Sequence, residues 1–437
     1  MKQYKYFKGG VKVPHYKNSE NAETKIMPIP DIIEIPMLHH IGAPCVPLVK
    51  VGDYVMVGQK IGDSDKFISS PVHTGVSGTV KKISSVLFPN GMNVQSVVIE
   101  TDKKQEIHPD VKPPVIESRE DFIKAIRESG LVGLGGAGFP TNVKLNPPPG
   151  KTVDYLLING AECEPYITSD YRETIENSWN IISGINIIME YLEIDKVIIG
   201  VEDNKPVSVD VLTDIAKTSD KIDIMSLKSK YPQGAEKMLI YALTGRIVPA
   251  GKLPLDVGVI VLNVASVSFI AEYIKTGMPL TKKRITIDGG AVNTPSNIEV
   301  FVGTYIKEAI QFSGGFKEVP KKILMGGPMM GVSQFNLDSP ILKQNNAILA
   351  FNEKQSILPE QTPCIKCGRC VRACPMNLMP VYFDIYHQYK DVEQLEKLDI
   401  MSCIECGSCS FVCPANRYLV QSIRNGKALV KAGGSKK

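Results

Sequence analysis

Two copies of one cysteine run, 39 residues apart, dominate the last quarter of the chain: Cys364, Cys367, Cys370 and Cys374 before Pro375, then Cys403, Cys406, Cys409 and Cys413 before Pro414. Eight of the ten cysteines are spent there. Each copy reads C-x2-C-x2-C-x3-C-P. That spacing wraps a [4Fe-4S] cluster with three thiolates of its own run and gives the fourth to the other cluster of the pair. Cross-ligation assigns Cys364, Cys367, Cys370 and Cys413 to one cluster, and Cys403, Cys406, Cys409 and Cys374 to the other. Soft thiolates also suit zinc, but structural zinc usually uses two separated C-x-x-C knuckles rather than runs of four. Disulfide frameworks belong to small secreted chains. A 437-residue chain with no apolar leader after Met1 is expected to keep its thiols reduced on the cytosolic side. Cys45 and Cys163 carry no spacing, and Cys45 reads as a small buried hydrophobe.

The length allows about three domains of roughly 150 residues, and the apolar fraction of 43% is that of ordinary globular cores. With 50 basic and 46 acidic residues, the formal charge of +4 is too small to argue for a nucleic-acid partner, and none is expected. Arg417, Arg424, Lys427, Lys431, Lys436 and Lys437 lie in a stretch, residues 414–437, that has no acidic residue. The plain reading is a solvated basic tail over 421–437; the sharper one is a contact with anionic lipid or an acidic partner. No transmembrane segment is expected. The longest uncharged apolar stretch, residues 257–271, is 15 long, contains Asn263, Ser266 and Ser268, and is shorter than the roughly 18 that a span needs. The six histidines show no metal-binding pairing and read as structural or surface residues.

The first hundred residues alternate short Val-rich runs with glycine turns, as in V-K-V-G-D-Y-V at 49–55 and G-V-S-G-T-V at 75–80, a pattern of short strands. Prolines 109, 113 and 114 mark a linker before an amphipathic helix over 117–129. The next segment, G-L-G-G-A-G-F-P-T at 133–141, matches G-x-G-x-x-G through Gly133, Gly135 and Gly138. It follows a helix rather than a strand, and Pro140 interrupts its continuation, so the Rossmann fingerprint is not met. Clustered glycines still let backbone approach a flat or phosphorylated ligand closely. Beyond it, strands over 153–158, 196–201 and 257–262 alternate with helices over 174–192, 234–243 and 265–276. This predicts a mostly parallel sheet with ligands at its carboxyl edge, where Asn159, Glu162, Glu164 and Asn263 fall.

Several segments together resemble known proteins. G-x-G-G-A-G-F-P with Lys144, N-x-A-E-x-E-P at 159–165, Y-P-Q-G-A-E-K at 231–237 and L-N-V-A-S at 262–266 resemble the flavin and NADH subunit of respiratory complex I. V-G-D-Y-V-M-V-G-Q-K-I with P-V-H-T-G-V-S-G-T-V resembles a barrel-sandwich hybrid, without a modifiable lysine in the turn over 69–75. The segment 284–316 resembles a soluble-ligand-binding β-grasp unit. The complete layout resembles the RnfC family of Rnf complexes, the ion-translocating ferredoxin:NAD+ oxidoreductases. Where complex I has arginine, this chain has Leu134, and it carries Asn142 and Leu145 around the lysine.

The resemblance implies a multidomain α/β plus α+β chain. Its parts are a barrel-sandwich domain over 1–112, a Rossmann-like flavin domain over 113–280, a β-grasp domain over 281–350, a two-cluster ferredoxin-type module over 351–420, and the basic tail. It further implies that Gly133, Gly135, Gly136, Ala137 and Phe139 form the loop over FMN and NAD(H), and that Lys144 meets phosphate or flavin charge. Asn159, Glu162, Glu164 and Asn263 line the ring and nicotinamide pocket, with the two glutamates as the catalytic candidates. Noncovalent FMN is expected. Nicotinamide moves electrons in pairs and a cluster moves them singly, so a flavin between them is required to divide the pair. The implied partners are ferredoxin and the membrane-embedded subunits of an Rnf complex, on the cytoplasmic side of the cell membrane. Two other readings use the same motifs: a flavin and iron–sulfur corrinoid reductase, in which the flavin segment comes nearer the N-terminus, and a flavin-free electron-wiring adaptor.

Cross-ligation makes a sharp prediction about iron content. Anaerobically loaded chain should carry about eight irons, and Cys374→Ser with Cys406→Ser should leave about four, because both changes strike one cluster. Cys374→Ser with Cys367→Ser should leave almost none. The reverse pattern would show that each run closes on itself.

Overall fold

The computed structural model describes residues 6–434. The first strand, β1 (Thr24–Ile26), does not join the barrel that follows but pairs in parallel with a strand almost three hundred residues away. The barrel-sandwich proper comprises β2 (Ile32–Pro36), β3 (Val46–Pro47), β4 (Tyr54–Val55), β5 (Lys60–Asp63), β6 (Val72–His73), β7 (Gly78–Leu87) and β8 (Asn93–Thr101), in one sheet of order β2-β8-β7-β4 and another of order β3-β5-β6. Period-two burial explains it: Ile33 and Ile35 of β2, Val80 of β7, and Val97 and Ile99 of β8 point into one core with Val55 and Ile61. Cys45 lies in that core, as its lack of spacing implied, and its thiol donates to the Ser70 carbonyl at 3.2 Å.

The flavin domain opens with α1 (Arg119–Glu128), whose Ser118 N-cap accepts from the Asp121 amide. After the glycine loop come α2 (Thr141–Lys144), β9 (Tyr155–Gly160), α3 (Ser169–Glu176), α4 (Ser178–Leu192), β10 (Val197–Glu202), α5 (Pro206–Ala216), β11 (Ile222–Leu227), α6 (Glu236–Thr244), β12 (Val259–Asn263) and α7 (Val264–Thr276). The helix expected over 174–192 is two helices, since Asn177 leaves helical geometry (φ −127°, ψ 30°) between α3 and α4. All four strands are parallel, in the order β11-β10-β9-β12. Alternate residues serve opposite cores. Leu156, Ile158, Ile199 and Leu262 pack beneath α1, α4, α5 and α7, whereas Leu157, Ile198 and Val261 pack against α6. A sheet covered on both faces reads as an unbroken apolar run, which is what β10 is from Val197 to Val201. The chain goes from β9 to β10 on one side and reaches β12 on the other, so the switch point lies between β9 and β12. Asn159 and Asn263 are register partners at its carboxyl end.

The β-grasp sheet has the order β1-β14-β13-β17-β15-β16, with β13 (Lys282–Asp288), β14 (Ser296–Phe301), β15 (Lys322–Met325), β16 (Val332–Gln334) and β17 (Ala347–Phe351) around α8 (Ile306–Phe312). A short α9 (Glu353–Ser356) leads to the cluster module: α10 (Arg369–Ala373), α11 (Pro380–Gln388), α12 (Val392–Lys397), α13 (Ser408–Phe411) and α14 (Leu419–Gly434). The two cysteine runs are conformational copies. Lys366 and Glu405 both have φ 55°, and Asn377 and Asn416 have φ 55° and 51°.

The basic tail expected over 421–437 is instead most of α14, a structural helix of the module. Ile423 is fully buried and Val430 nearly so, beside Phe383 of α11 and Leu395 of α12. Its cations find carboxylates from elsewhere, Arg424 and Lys427 meeting Glu405 at 2.8 and 2.7 Å, as does Arg417 just ahead of it, which meets Asp384 at 2.8 Å. A stretch without acids of its own is therefore not a stretch without partners. Lys436 and Lys437 lie outside the described residues. Truncating Ile423 to alanine should cost about 2–5 kcal/mol, the range for emptying a buried Ile site, read as a lower denaturation midpoint of the cluster module. An unchanged midpoint would return α14 to the status of a tail.

Candidate functional site: a flavin-type pocket beside two cysteine cages

The glycine loop is a closed excursion between α1 and α2. Val132 bridges Pro140, Gly133 N–H donates to the Phe139 carbonyl at 2.8 Å, and Gly138 N–H donates to the Gly133 carbonyl at 3.2 Å. Its crest is held from three sides. Leu134 N–H donates to Ser266 Oγ at the start of α7 (3.0 Å), the buried Lys283 ammonium donates to the Leu134 carbonyl (3.1 Å), and Ile41 N–H from the barrel donates to the Gly138 carbonyl (3.0 Å). Gly135 lies so close to Asn263 that a Cβ there would stand 3.1 Å from its amide nitrogen, whereas a Cβ on Gly136 (φ +112°) would meet nothing within 4 Å. The crest thus offers bare backbone, with open space at Gly136, next to the switch point of the sheet.

The strand ends supply the polar groups. Asn263 Oδ1 caps α7 by accepting from Ala265 N–H at 2.9 Å, and its Nδ2 donates to Asp170 Oδ2 at 2.6 Å. Asn159 Oδ1 accepts from Ala161 N–H, and its Nδ2 donates to the Gly234 carbonyl at 2.9 Å. Glu162 is buried, accepts from Asp170 N–H at 2.8 Å at the start of α3, and faces Lys17 at 3.9 Å. Lys144 Nζ is engaged by Glu236 at 2.6 Å and by the Val261 carbonyl at 3.2 Å. Glu164 turns the other way: its two oxygens accept from Met329 and Met330 N–H at 3.0 and 2.9 Å, binding the loop after β15. Gly135, Asn263 and Asn159 therefore lie together at one edge, with Gly133 and Gly136 on the same loop, and Glu162 lies behind them. Glu164 belongs to the seam with the β-grasp domain, and Phe139 and Ala137 to the loop itself.

Sequence reading passed over Asp170, Lys283, Lys17, Glu202 and Tyr231. Asp170 is raised by burial and by the neighbouring Glu162 charge, with Lys283 opposing; burial lowers Lys283 itself to about 8. Glu202, at the end of β10, is pushed up to about 7 by burial despite Lys17 and Lys205 nearby. Lys17 is invisible to any local pattern, being nearly 150 residues from the carbonyls of Glu162 (2.8 Å), Glu164 (2.8 Å) and Ile167 (2.5 Å) that it binds. Tyr231 did lie in a quoted motif, but only the fold shows its neighbour: its hydroxyl donates to the Cys406 carbonyl at 2.6 Å.

The two cysteine runs differ in exposure, and one cavity gathers cysteines from both. Cys374, Cys403, Cys406 and Cys409 line one cavity, walled by Leu378, Phe383, Ile404, Val420 and Ile423. Cys364 and Cys367 are exposed on the other side, while Cys370 and Cys413 are half-buried and close enough to interact electrostatically. Backbone N–H groups reach the sulfurs as they do around thiolate-bound clusters: Lys366 to Cys364 at 3.4 Å, Glu405 to Cys403 and Leu378 to Cys374 at 3.3 Å. Among the described residues no three His, Cys, Asp or Glu side chains converge as for a single metal ion. Four soft donors spread around an apolar cavity fit a cluster with a thiolate at each corner.

A flavin-type loop at a sheet switch point, joined by one buried tyrosine to a two-cage cysteine module, defines a flavin and iron–sulfur electron-transfer protein. Family models agree piece by piece: an RnfC barrel sandwich hybrid domain over residues 5–104, the Nuo51 FMN-binding domain over 126–272, an SLBB domain over 284–333 and a 4Fe-4S dicluster domain over 363–417. The C-subunit of a proton-translocating ferredoxin:NAD(+) oxidoreductase complex from Clostridium ljungdahlii is 46% identical across 99% of this chain and 95% of that protein. The Na(+)-translocating counterpart from Acetobacterium woodii is 44% identical across 96% of each. Among solved structures, a chain of an NAD+-reducing [NiFe]-hydrogenase shares the fold at TM-score 0.50 and 17% identity, covering 73% of this chain and 64% of that one. The chain belongs to the RnfC family of ion-translocating oxidoreductase complexes.

The raised Glu202 carboxyl makes a signed prediction. Its folded value, about 7, lies above the ordinary 4.5, so its contribution to stability is complete below about 4.5 and is lost as pH rises through 7. Glu202→Gln should gain stability relative to the native chain between pH 5 and 8, seen as melting curves that diverge with pH. Parallel curves would contradict the assignment.

Proposed function

We propose that this chain is the peripheral NAD(H)-facing subunit of a membrane-bound Rnf complex, on the cytoplasmic side of the cell membrane. There it passes electrons between NAD(H), FMN and two [4Fe-4S] clusters while the complex exchanges electrons with ferredoxin and moves Na+ or H+. The relatives named for that activity cover the chain almost from end to end. The observation that carries the reading is the adjacency of the two sites: Tyr231, on the segment that leads into α6, is 2% exposed and bonded to the cage residue Cys406. No helix among the described residues is long and apolar enough to cross a membrane, so attachment falls to the other subunits.

FMN supplies the exchange between paired and single electrons that neither nicotinamide nor a cluster makes alone. Gly135 and Gly136 would admit its ring or phosphate to bare backbone, with Asn159 and Asn263 at the edge of the sheet. Buried Thr141 Oγ1 and Gln233 Nε2, on segments bordering the loop and strand ends, lack hydrogen-bond partners and fit a polar ligand there. Asp170 fixes the Asn263 amide, Lys283 fixes the loop carbonyl beside it, and Glu162 holds the start of α3 under both. Glu162 is the carboxylate we place just behind the reacting edge; Glu164, spent on Met329 and Met330, ties the strand end to the β-grasp domain. Lys144, neutralised by Glu236, is available to a phosphate once that pair opens.

Anaerobic titration of the loaded chain with NADH tests this. About one FMN and eight irons per chain should be present, with the flavin band bleaching and the broad iron–sulfur absorbance following. Eight irons without flavin and without response to NADH would leave a flavin-free wiring adaptor.

A further inference from the structure

The two cages are built alike but face different surroundings, and the difference lies in charge. The cage of Cys403, Cys406 and Cys409 is turned inward: Cys406 and Cys409 are buried, Gly407 abuts the Met329 carbonyl, and Tyr231 closes over Cys406. Its Glu405 is neutralised by Arg424 and Lys427. The cage of Cys364, Cys367 and Cys370 is turned outward, with Cys364 and Cys367 exposed.

At the positions that hold Glu405, Ser408 and Phe411 in the inward run, the outward run holds Lys366, Arg369 and Arg372. Among the described residues no carboxylate pairs with any of them, and the Arg372 guanidinium donates only to the Cys367 carbonyl at 3.2 Å. Ile365, inside the same run, is 68% exposed, as is Leu358 on the segment leading into it. Tyr418, 42% exposed, borders that segment through Pro359. Bare apolar side chains beside three unpaired cations of one sign depart from an ordinary surface of interspersed charge. It has the make-up of a transient docking face, in which unpaired charge steers encounter and a small apolar contact holds it.

We infer that the outward cage, rimmed by Lys366, Arg369 and Arg372, is the docking face for an acidic redox protein that exchanges single electrons with this chain. The partner has a carboxylate-rich surface around its own redox centre and sits over Ile365, which lies between Cys364 and Lys366. The inference rests on the electron-transfer function proposed above and adds to it the exit side and the partner's charge.

The inward run supplies the test variant, because Glu405 already occupies the backbone conformation of Lys366 and Ser408 is the counterpart of Arg369. The probe is a small acidic two-cluster ferredoxin, with the basic cytochrome c as control, and the readout is calorimetric or surface-plasmon binding to the loaded full-length chain. Binding of the ferredoxin should weaken at least tenfold between 50 and 300 mM salt, and at least tenfold again in Lys366→Glu/Arg369→Ser at low salt. The variant should retain the iron content and NADH-driven bleaching of the native chain. Ferredoxin binding that ignores both salt and substitution, or cytochrome c binding as tightly as ferredoxin, would overturn the docking face. Loss of NADH-driven bleaching in the native chain would instead overturn the function on which it rests. A variant that loses iron is replaced by Arg369→Ser alone, for which the same comparison decides.

Discussion

One strand of backbone ties the working parts together. Residues 9–26 run from the cluster module to the β-grasp sheet across the flavin domain. Gly10 N–H donates to the Ala373 carbonyl, and Val11 and Tyr231 exchange a pair of backbone hydrogen bonds at 2.8 and 2.9 Å. The Tyr166 N–H donates to the His15 carbonyl at 2.9 Å, Lys17 collects three carbonyls beside Glu162, and β1 joins β14. Buried polar anchors follow from this path. The Lys17 ammonium is costly to bury unless several acceptors surround it. The tyrosine hydroxyl needs an acceptor and takes the carbonyl of a cage cysteine. This segment therefore joins the elements that carry the two sites.

The barrel contributes from the opposite side of the glycine loop. Lys343 is fully buried, and its ammonium donates to the carbonyls of Pro71 (2.7 Å) and Gly130 (2.6 Å), joining the barrel to the end of α1 just before the loop begins. Burial lowers it to about 7, and the neighbouring His39 and His73 are driven well below their ordinary range by the same burial and by Lys343. The barrel is thus a brace for the loop. The lack of a modifiable lysine in its turn agrees with a structural part rather than a carrier.

What could be read in the sequence was what short spacing encodes. The cysteine spacing grouped Cys374 with Cys403, Cys406 and Cys409, four residues that line one cavity. The strand–helix alternation predicted the parallel sheet, and the glycine segment was correctly separated from a Rossmann turn by the helix before it and Pro140 after it. Hidden were the interactions made across sequence distance. β1 leaves its own domain for another sheet, Asp170 reaches Asn263, and Glu164 turns to Met329 and Met330, because each pairing is decided by how domains pack and not by neighbours in the chain. The misread tail has the same cause. Charge composition recorded the lysines and arginines of residues 414–437 but not Glu405 and Asp384, and Ile423 and Val430 are too widely spaced to register as a hydrophobic run.

The proposed electron path requires the inward cage to lie between the flavin-type pocket and the outward cage. Rapid-freeze paramagnetic resonance of the loaded chain after mixing with NADH, compared between Cys406→Ser and Cys367→Ser, tests that arrangement directly. The account predicts that Cys367→Ser still shows fast reduction of the remaining inward cluster, whereas in Cys406→Ser the outward cluster, though present, is reduced orders of magnitude more slowly. Fast reduction of the outward cluster without its inward neighbour would contradict the arrangement and give the Tyr231 seam a purely structural role.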